Sequence, residues 1–262
     1  MAYARYAKGF KAGGWNADFV STAPGGTAPT VPSLRFQPEK AATSEVGIKS
    51  TMLEHTLSIN ASAFYTDFTN LQVAQFFGIN LQNTGNQLSV TSNAGSAVIK
   101  GAELESVWLA FRGMQLSAGF GFLDARYAQF ANVDGQGSNA NGKRMENVPK
   151  ETGNLSALYS HPLPHNGKVS IRGDYSYISS RYTDPLNSAI RQAPSYWVAN
   201  GQITYTAHDD AWEISVLSRN ITNHLYIVDA GLQQFAVVQS SPVRTVAYGQ
   251  PRTFAIQFQA RF

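Results

Sequence analysis

The 262-residue sequence predicts an all-β fold: a transmembrane, antiparallel up-and-down β-barrel portion of about ten strands. Segments of about ten residues alternate between apolar and polar side chains, which is the two-residue period of a β-strand. The connections between these segments alternate between short and long, as the turns and loops at the two ends of such a barrel do. No stretch approaches the roughly 18 apolar residues that a transmembrane helix needs. Together these observations favour a membrane that is crossed by strands.

In chain order, the first five predicted strands are Tyr3–Phe10, Ala42–Ser50, Leu57–Tyr65, Lys100–Phe111 and Gln115–Arg126. The third alternates leucine, isoleucine and alanine with serine and asparagine, so one of its faces is apolar and the other is polar. The fourth sets two glutamates opposite leucine and tryptophan. The other three alternate more weakly.

The last five predicted strands are Glu151–His161, Lys168–Ile178, Ser195–Thr206, Ala211–Asn220 and Arg252–Phe262. Lys168–Ile178 sets valine, isoleucine and two tyrosines opposite serine, arginine and aspartate. Ser195–Thr206 and Ala211–Asn220 each place tryptophan and isoleucine opposite polar side chains, whereas Glu151–His161 alternates more weakly. Tryptophan and tyrosine at strand ends are typical of the aromatic girdles that lie at membrane interfaces.

The final segment gives the clearest prediction of orientation. Five of its side chains share an apolar face, which we expect to contact lipid: Phe254, Ile256, Phe258, Ala260 and Phe262. The opposite face is polar and is expected to line the aqueous lumen: Thr253, Gln257, Gln259 and Arg261. A half-buried edge strand of a soluble β-sandwich is the alternative for this segment taken alone.

The connections support an up-and-down barrel because their lengths alternate along the whole chain. The short connections lie near Thr51–Thr56, Arg112–Met114, Pro162–Lys168 and Ala207–Asp210. The long connections lie near Lys11–Lys40, Phe68–Ala97, Tyr127–Lys150, Ser180–Pro194 and Ile221–Pro251. A soluble sandwich of this size more often has short connections at both ends.

Composition excludes several classes of function. The sequence has no cysteine, so it offers no disulfide framework and no thiol chemistry. Its net charge of +3 is too small to argue for a nucleic-acid partner.

The residues before Tyr3–Phe10 show none of the regions of a signal peptide. We therefore expect the sequence to begin inside a longer secreted protein.

Six stretches, taken in their order along the chain, resemble the carboxyl-terminal part of a TonB-dependent outer-membrane receptor. They are Tyr3–Asn16, Gln37–Ser50, Ala61–Gln72, Asn93–Glu105, Ser215–Tyr226 and Pro251–Phe262. The resemblance implies a 22-stranded barrel in the outer membrane of a Gram-negative bacterium. Residues 1–262 would form the last ten strands of that barrel as a single domain. The plug and the TonB box of the family are not visible in this sequence.

The resemblance also implies a function, which is energy-coupled uptake of a scarce, bulky solute. The solute is most often a ferric siderophore, and in other members it is cobalamin, haem or a glycan. The implied partners are this solute, outer-membrane lipid and the barrel-assembly machinery, which would recognise the strand from Phe254 to Phe262 as an insertion signal. The TonB complex would act only through the absent plug region, so we expect no transport by these residues alone.

Two sets of residues are candidates for contact with a plug or a ligand. The first set would line the lumen: Lys49, Glu103, Glu105, Arg172, Asp174, Glu213, Arg219 and Arg261. The second set contains aromatic and cationic side chains of the long loops, which suit an anionic iron complex: Trp15, Arg35, Phe36, Phe76, Phe77, Arg181, Tyr182, Arg191, Tyr226, Phe235, Arg244 and Tyr248. Networks within the wall and packing within the loops are the alternatives. Asn80–Ser96 is predicted as a polar loop without a motif.

The five histidines test whether the barrel is an enzyme. His55, His161, His165 and His208 fall in or beside the short turns, and only His224 lies near the long loops. No serine or carboxylate partner stands out for a protease or a phospholipase, and the pair His161 and His165 has no evident third metal ligand. We therefore predict no catalytic, metal or cofactor site. A barrel protease or phospholipase, a passive porin and a soluble carbohydrate-binding sandwich are the alternatives.

Overall fold

The computed structural model describes residues 1–16, 35–78, 87–93, 95–133, 137–164, 167–233 and 243–261. Ten long strands account for most of these residues: β1 (Ala2–Lys11), β4 (Glu39–Met52), β5 (Leu57–Thr69), β8 (Ser96–Phe111), β9 (Met114–Gln129), β10 (Glu151–Pro162), β11 (Lys168–Ile178), β14 (Tyr196–Thr206), β15 (Trp212–Arg219) and β18 (Thr253–Ala260). They form a single antiparallel sheet in which each strand pairs with the one before it and the one after it in this series. The described sheet is therefore an up-and-down meander.

Each predicted strand corresponds to one of these ten, in the same order, so the all-β fold and the up-and-down topology are confirmed. The predicted range Lys168–Ile178 matches β11 at both ends. The strands β1 and β18 are the outer strands of the sheet and do not pair with each other. The ten described strands therefore form an open wall and do not close on themselves.

The pairing register divides the wall into an apolar face and a polar face, because directly paired residues lie on the same side of a sheet. One row of paired residues crosses seven strands on the apolar face: Ile48, Ala61, Leu104, Phe120, Gly153, Tyr177 and Trp197. The adjacent row on the other face is mainly polar: Lys49, Asn60, Glu105, Gly119, Asn154 and Ser176. The alternation read from single segments is thus one continuous property of the sheet.

The last strand, β18, presents its large apolar side chains on the apolar face. Phe254, Ile256 and Phe258 have exposed fractions of 68%, 74% and 65%. Ile256 pairs with Val216, and Phe258 pairs with Ile214, both of which lie on the same face and are exposed. A soluble monomer rarely leaves so wide an apolar surface in water, whereas lipid would cover it. Phe262, the last predicted member of this face, lies outside the described residues.

The short turns are tight and rely on special backbone conformations. Leu53, Glu54 and His55 have positive φ angles of 52°, 53° and 70° between β4 and β5. Gly113 joins β8 to β9 with φ of +84°, and a Cβ atom added there would collide with the carbonyl oxygen of Ser160 on β10. A residue with a side chain would be strained at Gly113 by both the angle and the contact.

Four of the long connections contain hairpins that the sequence did not predict. They are β2 (Gly14–Trp15) with β3 (Arg35–Phe36), β6 (Gln72–Gly78) with β7 (Gln87–Asn93), β12 (Arg181–Tyr182) with β13 (Gln192–Ala193), and β16 (Ile227–Gln233) with β17 (Val243–Tyr248). The prediction of Asn80–Ser96 as a loop was therefore wrong over β7. These strands pair only with each other, so no buried face imposes the alternation that marks the wall strands.

A compact buried cluster lies where the second and third long connections leave the wall. Leu71, Ala97, Tyr127, Phe130 and Ala140 are buried together, with partly buried side chains packed around them. The rings of Tyr127 and Phe130 meet edge to face at 5.0 Å between centroids. This cluster packs the bases of two loops onto the strands β8 and β9, so loop position depends on the wall.

Asn220 holds the base of the last long connection, and its loss is expected to loosen that base. The side chain is 2% exposed. Its amide donates to the carbonyl oxygens of His224 at 2.9 Å and Gln250 at 3.0 Å, and its side-chain oxygen accepts from the backbone N–H of His224 at 2.9 Å. Its φ angle is 49°, so glycine keeps the backbone conformation while removing these bonds.

We expect Asn220→Gly to cost about 1–3 kcal/mol of local stability, because buried carbonyl groups lose their donor. The measurement is amide hydrogen exchange in detergent, where residues 221–226 should lose protection. Thr222→Ala, at an exposed neighbouring position, should leave exchange unchanged. Equal protection in the Asn220→Gly protein and the parent would contradict the assignment.

Candidate ligand-binding rim and polar wall

The described parts of the five long connections lie at one end of the wall, where we call them the rim. We name them loops L1 (residues 12–38), L2 (70–95), L3 (130–150), L4 (179–195) and L5 (220–252). L1 and L2 are joined by reciprocal hydrogen bonds, because Asn16 donates to the carbonyl of Thr91 at 2.8 Å and accepts from its N–H at 2.9 Å. Asn93 similarly accepts from the N–H of Gln37 at 2.7 Å and donates to its carbonyl at 3.1 Å. The first two loops therefore hold each other in place.

L3 and L4 are joined most strongly around Arg144 and Asn187. The side chain of Asn187 accepts from the backbone N–H of Arg144 at 2.8 Å and donates to its carbonyl at 2.9 Å. The Arg144 guanidinium donates to the carbonyl oxygen of Ser180 at 3.2 Å and lies 5.7 Å from the centre of the Tyr182 ring. Asn187 has a φ angle of 54°, a conformation that asparagine tolerates better than most residues.

L4 and L5 meet through three side-chain contacts. Arg181 donates to the carbonyl oxygen of Val228, and the hydroxyl of Thr183 donates to that of Ala230. Arg244 of L5 donates to the carbonyl oxygen of Gln192 in L4 at 3.0 Å. With the buried cluster between L2 and L3, these contacts connect all five loops into one rim.

Among the described residues of the rim, Glu146 has a carboxyl group whose pKa is raised above its ordinary value. The surrounding loops partly desolvate its carboxyl group and raise its pKa, and the negative charge of Asp184 raises it further. The positive charge of Arg191 partly opposes this shift. A raised carboxyl pKa favours the neutral form, so this part of the rim gains stability at acid pH and loses it as pH rises through the raised pKa.

The predicted ligand residues fall into two groups on the rim. Trp15 and Arg35 are paired in the L1 hairpin, where Trp15 is 70% exposed. The larger group lies in L4 and L5: Arg181, Tyr182, Arg191, Tyr226, Arg244 and Tyr248. Within it, Arg181 and Arg244 are already used in contacts between loops, whereas Tyr248 is exposed.

Other predicted ligand residues lie outside the described part of the chain or pack within the fold. The side chains of Phe76 and Phe77 lie outside the described part of the chain, although their backbone belongs to β6, and Phe235 lies outside it entirely. The ring of Phe36 lies directly over Gly14 in L1. The ring of Tyr226 stacks on Tyr196 at 4.7 Å between centroids.

Below the rim, the charged residues predicted for the lumen lie on the polar face. The strand pairing places seven of them in rows on the polar face: Lys49, Glu103, Glu105, Arg172, Asp174, Glu213 and Arg219. Arg172 pairs with Asp174 of its own strand at 2.8 Å, and a cavity of about 380 Å³ beside this pair is lined by serine, asparagine and glutamine side chains. An ion pair within one strand therefore occupies part of this set.

A second cavity of the polar face is lined by Glu45, which pairs with Arg5 at 3.3 Å, and by three charged residues that form no salt bridge with the described residues. Its volume is about 410 Å³, and Lys49, Glu103 and Glu105 line it together with Asn60 and Tyr3. The Lys49 ammonium group lies 5.9 Å from the centre of the Tyr3 ring. These polar groups lie on the face of the wall opposite to the apolar face, where another segment can contact them.

The functional residues that the sequence did not single out are the asparagines that hold the loops. Asn93, Asn187 and Asn220 each bond to backbone groups of distant or tightly turned segments. The sequence shows that the loops contain many asparagines, but it does not show which backbone groups their side chains bond. The signal that marks Asn187 and Asn220 is a left-handed backbone, which only the fold reveals.

Four of the five histidines lie in the described part of the chain, and one of them, His224, packs against an aromatic ring. The ring of His224 stacks on Trp197 at 5.0 Å between centroids. In the described ranges, no group of three or more histidine, aspartate or glutamate side chains is placed to hold a metal ion. His165 lies outside these ranges. None of the helices described is long and apolar enough to cross a membrane.

Comparison with known proteins identifies relatives with the same architecture. The family model described as "TonB dependent receptor-like, beta-barrel" matches residues 1–223. PiuA of Acinetobacter baumannii, named as a probable TonB-dependent siderophore receptor, is 25% identical over 231 residues, which is 86% of this chain and 27% of that protein. The metal-pseudopaline receptor CntO of Pseudomonas aeruginosa is 24% identical over 188 residues, covering 72% of this chain and 24% of its own.

A solved structure gives the same picture of the fold. The ferric yersiniabactin uptake receptor FyuA of Yersinia pestis superposes with a TM-score of 0.74 at 22% identity, covering 100% of this chain and 35% of that one. The chain thus spans about a quarter of the length of the two curated relatives and about a third of this structure. The matched proteins are receptors and transporters, not enzymes, which agrees with the prediction of no enzymatic activity.

Proposed function

Since the chain belongs to the TonB-dependent receptor family, we propose that residues 1–262 form part of one β-barrel domain in an outer-membrane receptor that takes up a ferric siderophore. The barrel would hold a plug against the polar face, and the rim of L1–L5 would contact the solute. The uptake would depend on energy that TonB delivers through the plug. The observation that carries this proposal is a continuous rim of five connected loops above a polar wall.

The open edges of the wall support a larger barrel. β1 and β18 each have one neighbour in the described sheet, so each leaves a row of backbone groups unpaired. Within a membrane, unpaired backbone groups are costly, and a β-sheet avoids them only by closing into a barrel. Further strands of a complete receptor would pair with both edges, which agrees with the small share of the relatives that this chain spans.

Three observations favour an anionic iron complex as the solute. The rim carries two exposed aromatic rings, Trp15 and Tyr248. L1, L3, L4 and L5 also carry cations, some of which are used in bonds between loops. Rings and cations suit stacking and charge pairing with an anionic chelate. The relative PiuA is named for a siderophore, and FyuA for ferric yersiniabactin. CntO is named for metal-pseudopaline, so a chelate of another metal is the second candidate.

The test is uptake of ⁵⁵Fe-labelled siderophores by a strain that lacks its own receptors. Two genes are compared: residues 1–262 alone, and the same gene extended upstream to include a plug and a signal peptide. We expect uptake only from the extended gene, and we expect a proton uncoupler to abolish it. Energy-dependent uptake by residues 1–262 alone would overturn the partial-barrel proposal. Uptake of a nickel or zinc chelate, cobalamin or a glycan, with none of any iron complex, would replace the siderophore.

A further inference from the structure

One arc of the apolar face carries cations at its loop end. The register places Lys8 of β1, Lys40 of β4, Lys100 of β8 and Arg126 of β9 on the same face as Ile48 and Leu104. All four side chains are exposed. Lys150 joins them, because its ammonium group lies 5.3 Å from the centre of the Phe122 ring on this face. We call these five residues the cationic band.

The band lies on the loop side of the uncharged part of the apolar face, which we call the apolar belt. Lys100 is two residues from Ala102 along β8, and Ala102 pairs with Ala63, which in turn pairs with Val46. Aromatic rings are interleaved with the cations at this level: Tyr6, Phe10, Tyr65 and Phe122. Lysine stems can lie along apolar surface while their charged ends reach the interface.

Lys8 and Lys40 are the pair best placed for an added anion. Lys8 pairs with Ala42, two residues from Lys40, so the two lysines are diagonal neighbours on adjacent strands. Diagonal neighbours in an antiparallel sheet are about 7–8 Å apart, which one phosphate group can bridge. No carboxylate lies within salt-bridge distance of either ammonium group among the described residues, whereas Lys100 and Arg126 share Asp124 at 3.8 Å and 2.8 Å.

The charge is specific to this part of the wall. The same face of β11, β14, β15 and β18 carries no charged residue over its paired positions. The arc from β1 to the start of β10 carries the five cations of the band and three carboxylates, Asp67, Asp124 and Glu151. Charged side chains of either sign are costly against hydrocarbon, so these residues favour the level of the lipid headgroups. Because the cluster is cationic overall, it favours headgroups that carry phosphate.

We propose that the cationic band binds the phosphate groups of a phosphorylated lipid in the outer leaflet, with Lys8 and Lys40 contacting one phosphate. The acyl chains of this lipid would lie along the apolar belt below, and the interleaved aromatic rings would pack against its sugar or glycerol headgroup. The inference rests on the proposed placement of the apolar face in lipid, and it concerns the outer wall, not the solute rim.

The test is binding of a defined lipid to the complete receptor purified in neutral detergent. The probes are lipid A with two phosphates, the same lipid after enzymatic removal of its phosphates, and inorganic phosphate alone, each measured by native mass spectrometry. The variant is Lys8→Gln/Lys40→Gln. The matched control is Lys49→Gln/Lys168→Gln, which removes the same charge from the polar face.

We expect the Lys8→Gln/Lys40→Gln receptor to bind lipid A about ten to thirty times more weakly than the parent, since each lysine near an anionic lipid surface contributes about 1 kcal/mol. The control variant should bind as the parent does. Equal binding by the two variants, or equal binding of phosphorylated and dephosphorylated lipid, would overturn the proposal. Competition by millimolar inorganic phosphate would also overturn it, in favour of a free-phosphate site. Siderophore uptake by each variant is measured in parallel, so a failure of the transport proposal is seen separately.

Discussion

Ile256→Arg is expected to remove most of the complete receptor from the outer membrane. Ile256 lies in the middle of β18 on the apolar face, where it is 74% exposed and pairs with Val216. An arginine that faces lipid near the bilayer midplane costs about 2–4 kcal/mol in a barrel. That cost is a large share of the marginal stability of most folded proteins, which is about 5–15 kcal/mol. The measurement is the amount of receptor in isolated outer membranes, with the heat-modifiable mobility of folded barrels as the second readout.

The neighbouring residue supplies the control for this result. Gln257 pairs with Ser215 on the polar face, so Gln257→Arg places the same charge on the opposite side of the same strand. We expect this variant to assemble at a level close to that of the parent, because charged residues are tolerated toward a lumen. If both arginine variants assembled equally well, the assignment of the two faces would be wrong.

Deletion of Phe262 is expected to have the second largest effect, a severalfold loss of receptor from the outer membrane. The family resemblance implies that the barrel-assembly machinery recognises the terminal strand, with Phe254, Ile256, Phe258, Ala260 and Phe262 as its apolar signal. Phe262 is beyond the described residues, so this role stays a prediction. The experiment compares the outer-membrane amount of the Phe262-deleted receptor with that of the parent at equal synthesis.

Phe262→Tyr separates the aromatic character of the last residue from the length of the strand. We expect this variant to assemble normally, because it keeps a terminal aromatic ring. Cells that lack periplasmic proteases serve as a further check, because the receptor without Phe262 should accumulate unassembled in their periplasm. Full assembly of the deleted protein would count against a role of this residue in recognition.

The wall and the rim differ in how far the sequence could predict them. The wall strand β11 was predicted at both ends because a single buried or lipid-covered face imposes a two-residue period on every side chain. The rim hairpin β6 with β7 was missed because its strands pair only with each other. Within Asn80–Ser96 the alternation is limited to Leu88 and Val90 among many asparagine, glutamine, serine and glycine residues, so the sequence predicts an irregular loop there.

The candidate site shows the same division. The sequence correctly marked Arg172 and Glu105 as residues of the polar face, since their faces follow from the local alternation. It proposed Arg181 and Arg244 as ligand residues from their chemistry alone. The structure engages both in bonds between L4 and L5. Which cations remain for a ligand depends on contacts between loops, and residue chemistry alone cannot reveal those contacts.

The sequence by itself determined the ten wall strands and their order, the apolar and polar faces, and the family. Each follows from periodicity or from motifs that lie within one segment of the chain. Only the tertiary structure decided the open edges, the connected rim and the cationic band. Asn187 contacts Arg144 across 43 residues, and Lys8 becomes a neighbour of Lys40 only through strand pairing. Contacts between distant segments depend on register and packing, which no local pattern records.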